Sequence, residues 1–242
     1  MGSALLSYGR NRYRRLKRVF RTWRGRDLLQ GSQMKCPTQS FGNDGAAWSI
    51  RASSISPGQV VYSFGVGEEI SFDLELIRHF GVTVHAFDPT PRSREWLQTQ
   101  TLPEQFVFHP YGVAGEDGTR RFSPPVNPRH ISHTLLRRDS PWPAIEVQVF
   151  RMSSILKMLG HTHIDMLKMD IEGAEYEVIH DLLRSGIRVG QLLVEFHHRW
   201  PEVGVAKTRD AIRSLNAGGY EIFNVSPSGE EYAFVKVRVD QA

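Results

Sequence analysis

Short β-rich runs alternate with helical-period segments along most of the chain, and this alternation restricts the fold more than any other feature. In "GQVVYSFGVGEEISFDLELIRHFG" (58–81), "VVYSF" reads as a strand and Gly65 and Gly67 as a tight turn. Ile70, Leu74 and Ile77 then recur at helical spacing, and Gly81 supplies a stop. "VTVHAFD" (82–88) is a second strand halted by "PTP", with a polar helix expected over 93–100. "FVFHPYGVAG" (106–115) reads as a third strand running into a loop, and "EDGTRRF" as a turn. "IEVQVF" alternates as an edge or crossing strand, and "MSSILKMLG" is a short helix. "IDMLKMD" (164–170) and "QLLVEFHH" (191–198) are two more strands. Each leads to a helix, in "EGAEYEVIHDLLRSG" and "VAKTRDAIRSLNAGG". "YEIFNVSPSGEEYAFVKV" is a hairpin that turns at 226–229. The pattern predicts an α/β fold: a mostly parallel sheet, helices on both faces and a C-terminal antiparallel hairpin.

A length of 242 residues suits one such domain with an appendage. The single cysteine, Cys36, excludes an internal disulfide and a Cys-rich zinc site, so the expected location is cytoplasmic. No run is apolar enough to span a membrane, and "MGSALL" is neither a secretory core nor a myristoylation signal. The net charge of +4 hides an asymmetry: residues 1–30 hold nine Lys/Arg and one acid, the remainder 21 bases and 25 acids. In "NRYRRLKRVFRTWRGRD" the residues Tyr13, Leu16, Phe20 and Trp23, with Val19 beside them, fall at helical spacing among arginines. Such a stripe packs on its own domain or on a second subunit, or rests peripherally on an anionic membrane through residues 10–26. Nucleic acid ranks below these readings. The expected organisation is a basic amphipathic segment (1–30), a linker or approach segment (31–57) and the main domain (58–242).

Ligands of such a sheet bind beyond the carboxyl ends of its strands. Here those ends are "SFGVG", Asp88, "HPYGVAG", Asp170 with Glu172, and Glu195 with His197 and His198. Gly65 and Gly67 let backbone approach a ligand without Cβ interference. Asp88 lies 21 residues beyond Gly67, about where an acid binds ribose hydroxyls in nucleotide-binding βαβ units. The third glycine of a dinucleotide fingerprint is missing, which disfavours a dehydrogenase. Glu68 and Glu69 would repel a pyrophosphate at the helix N-terminus. A ligand with a ribose, positive charge and no phosphate fits better, and S-adenosylmethionine is such a ligand. The plain alternative is a glycine turn whose acids favour the helix dipole.

From about Val60 to Val237 the chain resembles the FkbM-type S-adenosylmethionine-dependent methyltransferases. The segments that carry the resemblance are "VVYSFGVGEEISFD", "VHAFDPTPRS", "HPYGVAGEDG", "IDMLKMDIEGAEYEVI" and "LLVEFHH". "KMDIEGAE" is the most specific block, and "YSFGVGEEISFD" points to the methyltransferase-like branch. The resemblance implies a Rossmann-like fold with a seven-stranded sheet. It also implies methyl transfer to a hydroxyl of a sugar, glycan or other natural product. By the same resemblance Gly65 and Gly67 line the methionine part of the cofactor, Asp88 holds the ribose, Val113 and Ala114 lie near the adenine, and Asp170 faces sulfonium and acceptor. Ser63 stands where an acid is common in the family, and Glu68 and Glu69 replace small or apolar residues; all three border the cofactor's amino-acid end.

Methyl transfer from a sulfonium is an in-line displacement, and the acceptor's proton needs a destination. His197 is the first candidate base, with Glu195 orienting the ring and raising its pKa. Asp170 and Glu172 are the second. These four groups also suit a divalent metal such as Mg or Mn, although no metal ligand is assigned. Structural roles compete for His197 and His198, and Glu175 and Glu177 are expected on the helix surface. The proline-rich stretch 123–143, with His130, His133, Arg137 and Arg138, reads as an acceptor lid. Its "FSPPVNP" lacks the aromatic of the Asn/Asp-Pro-Pro motif of amino methyltransferases, because Val126 stands there. N-methylation is therefore not the leading reading. The alternative to an enzyme is a non-catalytic module recruited by its basic tail.

Overall fold

The computed structural model describes residues 2–123 and 143–237, with side chains from Tyr13 onward. The expected lid, with His130, His133, Arg137 and Arg138, falls outside them apart from its two ends. In chain order the elements are α1 (Gly2–Trp23), β1 (Gln39–Phe41), β2 (Trp48–Ile50), β3 (Val60–Phe64), α2 (Ser71–Phe80), β4 (Thr83–Phe87), α3 (Pro91–Leu97) and β5 (Phe106–His109). Then follow β6 (Gly112–Val113), β7 (Gly118–Phe122), β8 (Ile145–Phe150), α4 (Met152–Leu159), β9 (Ile164–Met169), α5 (Glu175–Arg184), β10 (Val189–Glu195), α6 (Gly204–Ala217), β11 (Tyr220–Val225) and β12 (Glu231–Lys236). No helix among the described residues is long and apolar enough to cross a membrane.

A seven-stranded sheet runs in the order β11-β12-β10-β9-β3-β4-β5. β10, β9, β3, β4 and β5 are mutually parallel, and β12 is antiparallel to both β10 and β11. This is the seven-stranded, mostly parallel sheet that the resemblance implies, with the C-terminal hairpin supplying the reversed strand. The central strands are apolar on both faces, as burial between helix layers requires. One face packs Leu167, Leu192, Val178 and Ile212; the other packs Val84, Met166, Leu193 and Leu76. Helices stop where glycine adopts left-handed backbone: Gly81 at φ 62° after α2 and Gly160 at φ 72° after α4.

One expectation needs correction and a second becomes specific. "EDGTRRF" is not only a turn: residues 118–122 form β7, which joins β6 and β8 in a separate three-stranded sheet. Within the segment expected as linker or approach, residues 39–54 are a folded approach. β1 and β2 pair as a hairpin whose Phe41, Trp48 and Ile50 are buried against α2 and the sheet. Phe41 and Trp48 face each other across the hairpin, and Ile50 follows on the same side.

The backbones approach most closely just beyond the carboxyl ends of the parallel neighbours β3 and β9. Gly65 has φ 76°, and a Cβ on it would lie 2.8 Å from the Asp170 carbonyl carbon and closer still to its oxygen. Backbone cannot yield there without parting the two strands. Gly65→Ala is therefore expected to cost about 3 kcal/mol or more. Thermal unfolding checks this, and a variant as stable as the parent would contradict it.

Candidate functional site

A cavity of about 540 Å³ opens at the carboxyl ends of β3, β4, β9 and β10. Its floor is the turn after β3. Gly65 donates its N–H to the Phe87 carbonyl at 3.0 Å, which ties the turn to β4. Gly67 has φ 55° and nothing within 4 Å of its Cβ position, so its backbone faces open space. Asp88 is pinned at the end of β4: one carboxylate oxygen accepts from Gly67 N–H at 3.0 Å, the other from Thr90 N–H and Oγ1 at 2.9 and 2.6 Å. Glu68 lines the cavity and pairs with Arg92 at 2.7 Å. Glu69 accepts from Ser71 N–H at 2.8 Å and so caps α2.

The far wall is acidic. Asp170, Glu172, Glu195 and Glu231 all line it. Glu195 and Glu231 sit directly opposite each other on the antiparallel pair β10–β12. Two like charges in that register would destabilise the sheet, which favours a proton on one of them. Burial, with Asp170 and Glu231 beside it, pushes Glu195 up to about 9. Burial also raises Asp170, against the pull of Lys168 and His197, and its buried Oδ1 makes no hydrogen bond. Glu172 holds left-handed backbone at φ 54°, the only non-glycine residue to do so among those described. Such a conformation costs about 1 kcal/mol or more and favours a reason beyond folding.

His197 joins this wall from behind. Its Nδ1 lies 3.0 Å from Glu175, and its Nε2 points to Glu172 at 3.5 Å and Asp170 at 3.8 Å. Burial opposes the charged ring, but Glu175, Asp170 and Glu172 outweigh it and hold the pKa up to about 10. The orienting carboxylate is thus Glu175 rather than Glu195. Glu175 is not on the helix surface: it is fully buried and accepts from Ile171 N–H at 3.1 Å and Gly173 N–H at 3.1 Å. Residue 175 is the first of α5, and its carboxylate reaches back to the N–H groups of the turn that precedes the helix. Glu177 is exposed, as expected. Ligand atoms of Asp170, Glu172 and His197 lie within 4.8 Å of one another, a set of oxygen and nitrogen donors suited to a divalent ion. With Nδ1 held by Glu175, the ring presents Nε2 in the manner of a carboxylate-oriented metal ligand.

Of the cofactor residues expected, Gly65, Gly67, Glu68, Asp88, Val113 and Asp170 line the cavity. Ser63 and Ala114 do not; both are buried beneath it. His198 turns away from the wall to Asp27, at 3.1 Å. Three contributors were missed. Residues 44–48 of the hairpin line the cavity, with Trp48 at its edge. Lys168 is buried in β9, donates to the Gly65 carbonyl at 3.2 Å and lies over Trp48. Asp73 is buried on α2 at the cavity base, where burial raises its pKa. A lysine inside the apolar run "IDMLKMD" was the available signal, because an unpaired charge does not go into a core strand without a partner.

Residues 59–222 match the model of the methyltransferase FkbM domain. Probable methyltransferase-like protein 24 of Rattus norvegicus is 28% identical over 154 residues, 63% of this chain and 36% of that protein. The Homo sapiens protein of the same name is 28% identical over 160 residues with the same shares. The chain thus spans about a third of the length of these curated relatives. The 31-O-demethyl-FK506 methyltransferase FkbM of Streptomyces tacrolimicus is 24% identical over 174 residues, 59% of this chain and 67% of that protein. Among solved structures, a Methanococcus jannaschii fibrillarin is 12% identical and covers 86% of this chain and 87% of its own, with a TM-score of 0.46.

The site carries two expectations of its own. Folded Glu195 and His197 keep protons that the unfolded chain releases near about pH 4.3 and 6.5. Both raised pKa values therefore add stability at low pH that is lost as pH rises toward about 9 and 10. The slope is up to about 1.4 kcal/mol per pH unit for each group. The Tm of the ligand-free chain is expected to fall between about pH 7 and 9, less steeply in Glu195→Gln; parallel slopes would remove Glu195 from this account. Glu172→Gly relieves the left-handed backbone, so its stability should match the parent or exceed it by up to about 1 kcal/mol. A loss larger than that would mean that the side chain supports the turn.

Proposed function

Because the chain belongs to the FkbM methyltransferase family, we propose that it transfers a methyl group from S-adenosylmethionine to a hydroxyl oxygen of a small-molecule or glycan acceptor. The observation that carries this reading is the acidic wall facing the glycine turn. Asp170, Glu172, Glu195 and Glu231 gather on it, and among the described residues Lys168 and His197 are the cationic groups that act on Asp170. Such a wall rejects a phosphate and welcomes a cation. The bare turn at Gly65 and Gly67 and the pinned carboxylate of Asp88 fit the amino-acid and ribose portions of that cofactor.

Bound there, the cofactor supplies an activated methyl group and a positive charge that is lost on transfer. The protein's part is to orient the acceptor and take its proton. His197 alone is a poor base at neutral pH, because its pKa is pushed up and the ring is already charged. A cation placed against Asp170 and Glu172 lowers the pKa of both His197 and Glu195 by the same Coulombic rule that now raises them. The wall then enters the reaction deprotonated at one of these sites. With that charge gone, His197 Nε2 or Glu195 would regain basicity and hold the acceptor's proton; the wall gains the one positive charge that the cofactor gives up, so the net charge of the two together is conserved. Glu175 keeps the ring aimed throughout, since its bond is to Nδ1. Oxygen is favoured over nitrogen as acceptor because a hydroxyl needs this proton sink. The printed name of the Streptomyces tacrolimicus relative also describes a methylated oxygen.

Calorimetry tests the cofactor and labelled-methyl incorporation into hydroxyl acceptors tests the chemistry. Asp88→Ala is expected to weaken S-adenosylmethionine binding at least about tenfold, whereas His197→Ala retains binding and loses about a hundredfold or more in turnover. Equal cofactor affinity in Asp88→Ala would sink the site assignment.

A further inference from the structure

The exposed face of α1 is unaccounted for by the methyltransferase site. Tyr13, Leu16, Val19, Phe20 and Trp23 are 64%, 68%, 51%, 51% and 80% exposed. The stripe therefore does not pack on its own domain. The helix is nonetheless fastened to the body, by its opposite side. Arg18 is buried, donates to the Leu28 carbonyl at 2.8 Å and the Gln30 carbonyl at 3.0 Å, and lies against Gly229. On a helix Arg18 stands about 160° from both Leu16 and Phe20, so the bond that holds the helix also turns the stripe outward. Asp27 completes the clamp: it is buried and binds His198 at 3.1 Å and Arg199 at 2.6 Å, and Arg199 binds Glu230. His198 and Arg199 follow β10 directly, so the helix is fixed at the carboxyl end of the sheet, where the cavity lies.

Charge selects the occupant of that face. Residues 1–26 contain nine Lys/Arg and no acid. Arg14, Arg15, Lys17, Arg24 and Arg26 are exposed, and Arg21 is half-buried. A second copy would bring the same positive charge to the contact and be repelled. A nucleic acid would satisfy the cations but leave five large apolar side chains in water. An anionic bilayer satisfies both, with lipid phosphates and carboxylates around the cations and acyl chains under the stripe. We propose that α1 docks the protein on an anionic membrane surface, with Tyr13, Leu16, Val19, Phe20 and Trp23 inserted and the flanking arginines on the headgroups. This inference does not rest on the methyltransferase reading.

The experiment uses the full chain and sedimentation with vesicles of phosphatidylcholine alone or with about 30% phosphatidylserine. Binding to the anionic vesicles only is expected, together with a blue shift in tryptophan emission that Trp23→Phe removes. The double variant Leu16→Ser/Phe20→Ser, which changes no charge, should weaken binding at least tenfold. Its thermal unfolding should match the parent, because both side chains are exposed in the free protein. Failure of the parent chain to bind either vesicle overturns the proposal. So does vesicle or heparin binding that the serine variant leaves unchanged, which would mark α1 as a polyanion site. A concentration-dependent dimer that the serine variant dissolves, without vesicle binding, overturns it in favour of a second copy.

Discussion

The buried carboxylate of Glu175 ties together the three pieces of chain on which the site depends. It accepts from two backbone N–H groups in the turn after β9 and bonds the ring of His197 beyond β10. A buried carboxylate without such partners would be costly by several kcal/mol. With them it ties the turn before α5, which holds Glu172 in left-handed backbone, to the start of the helix, and it aims Nε2 at Asp170 and Glu172. Its loss would leave His197 buried, charged and unaligned. Stability and chemistry are joined in this one group, because the carboxylate that closes the turn between β9 and α5 also positions the candidate base.

A second constraint is the concentration of acids around it. The wall gathers acids from β9, β10, β12 and the turn before α5, and two of them face each other across a strand pair. Both Glu195 and His197 are held protonated: Glu195 by burial and then by the acids beside it, His197 by acids that outweigh its burial. A positive ligand relaxes both. The same acids make the site unsuited to a pyrophosphate, which separates it from the dinucleotide-binding relatives of the fold.

Much of the fold was legible because its signals are local. Apolar runs of strand length, glycine stops and the "KMDIEGAE" block mark β3, α2, β4, β9 and α5 within a few residues of their bounds. Strand-end residues also mark the cavity, because a parallel sheet brings all its carboxyl ends together whatever the details of packing. The errors have equally physical causes. Glu195 was paired with His197 because the two are neighbours in sequence, yet β10 ends at Glu195 and the carboxylate that bonds the ring came from α5. Residues 39–54 were read by composition as linker or approach, and three buried side chains make them a folded approach. Lys168 sat in plain view as a charge inside an apolar strand.

By itself the sequence determined the layered α/β architecture, the strand exits that hold the site and the basic, stripe-bearing character of the N-terminal helix. These follow from periodicity and residue type along a contiguous stretch. Only the tertiary structure decided which acid orients His197, that Glu195 and Glu231 face each other, that the hairpin of residues 39–50 closes one wall of the cavity, and that Arg18 turns the apolar stripe of α1 outward. Each of these is a contact between segments far apart in the chain, fixed by strand register and by the burial of a charge beside its partner, and neither leaves a periodic trace in a linear sequence.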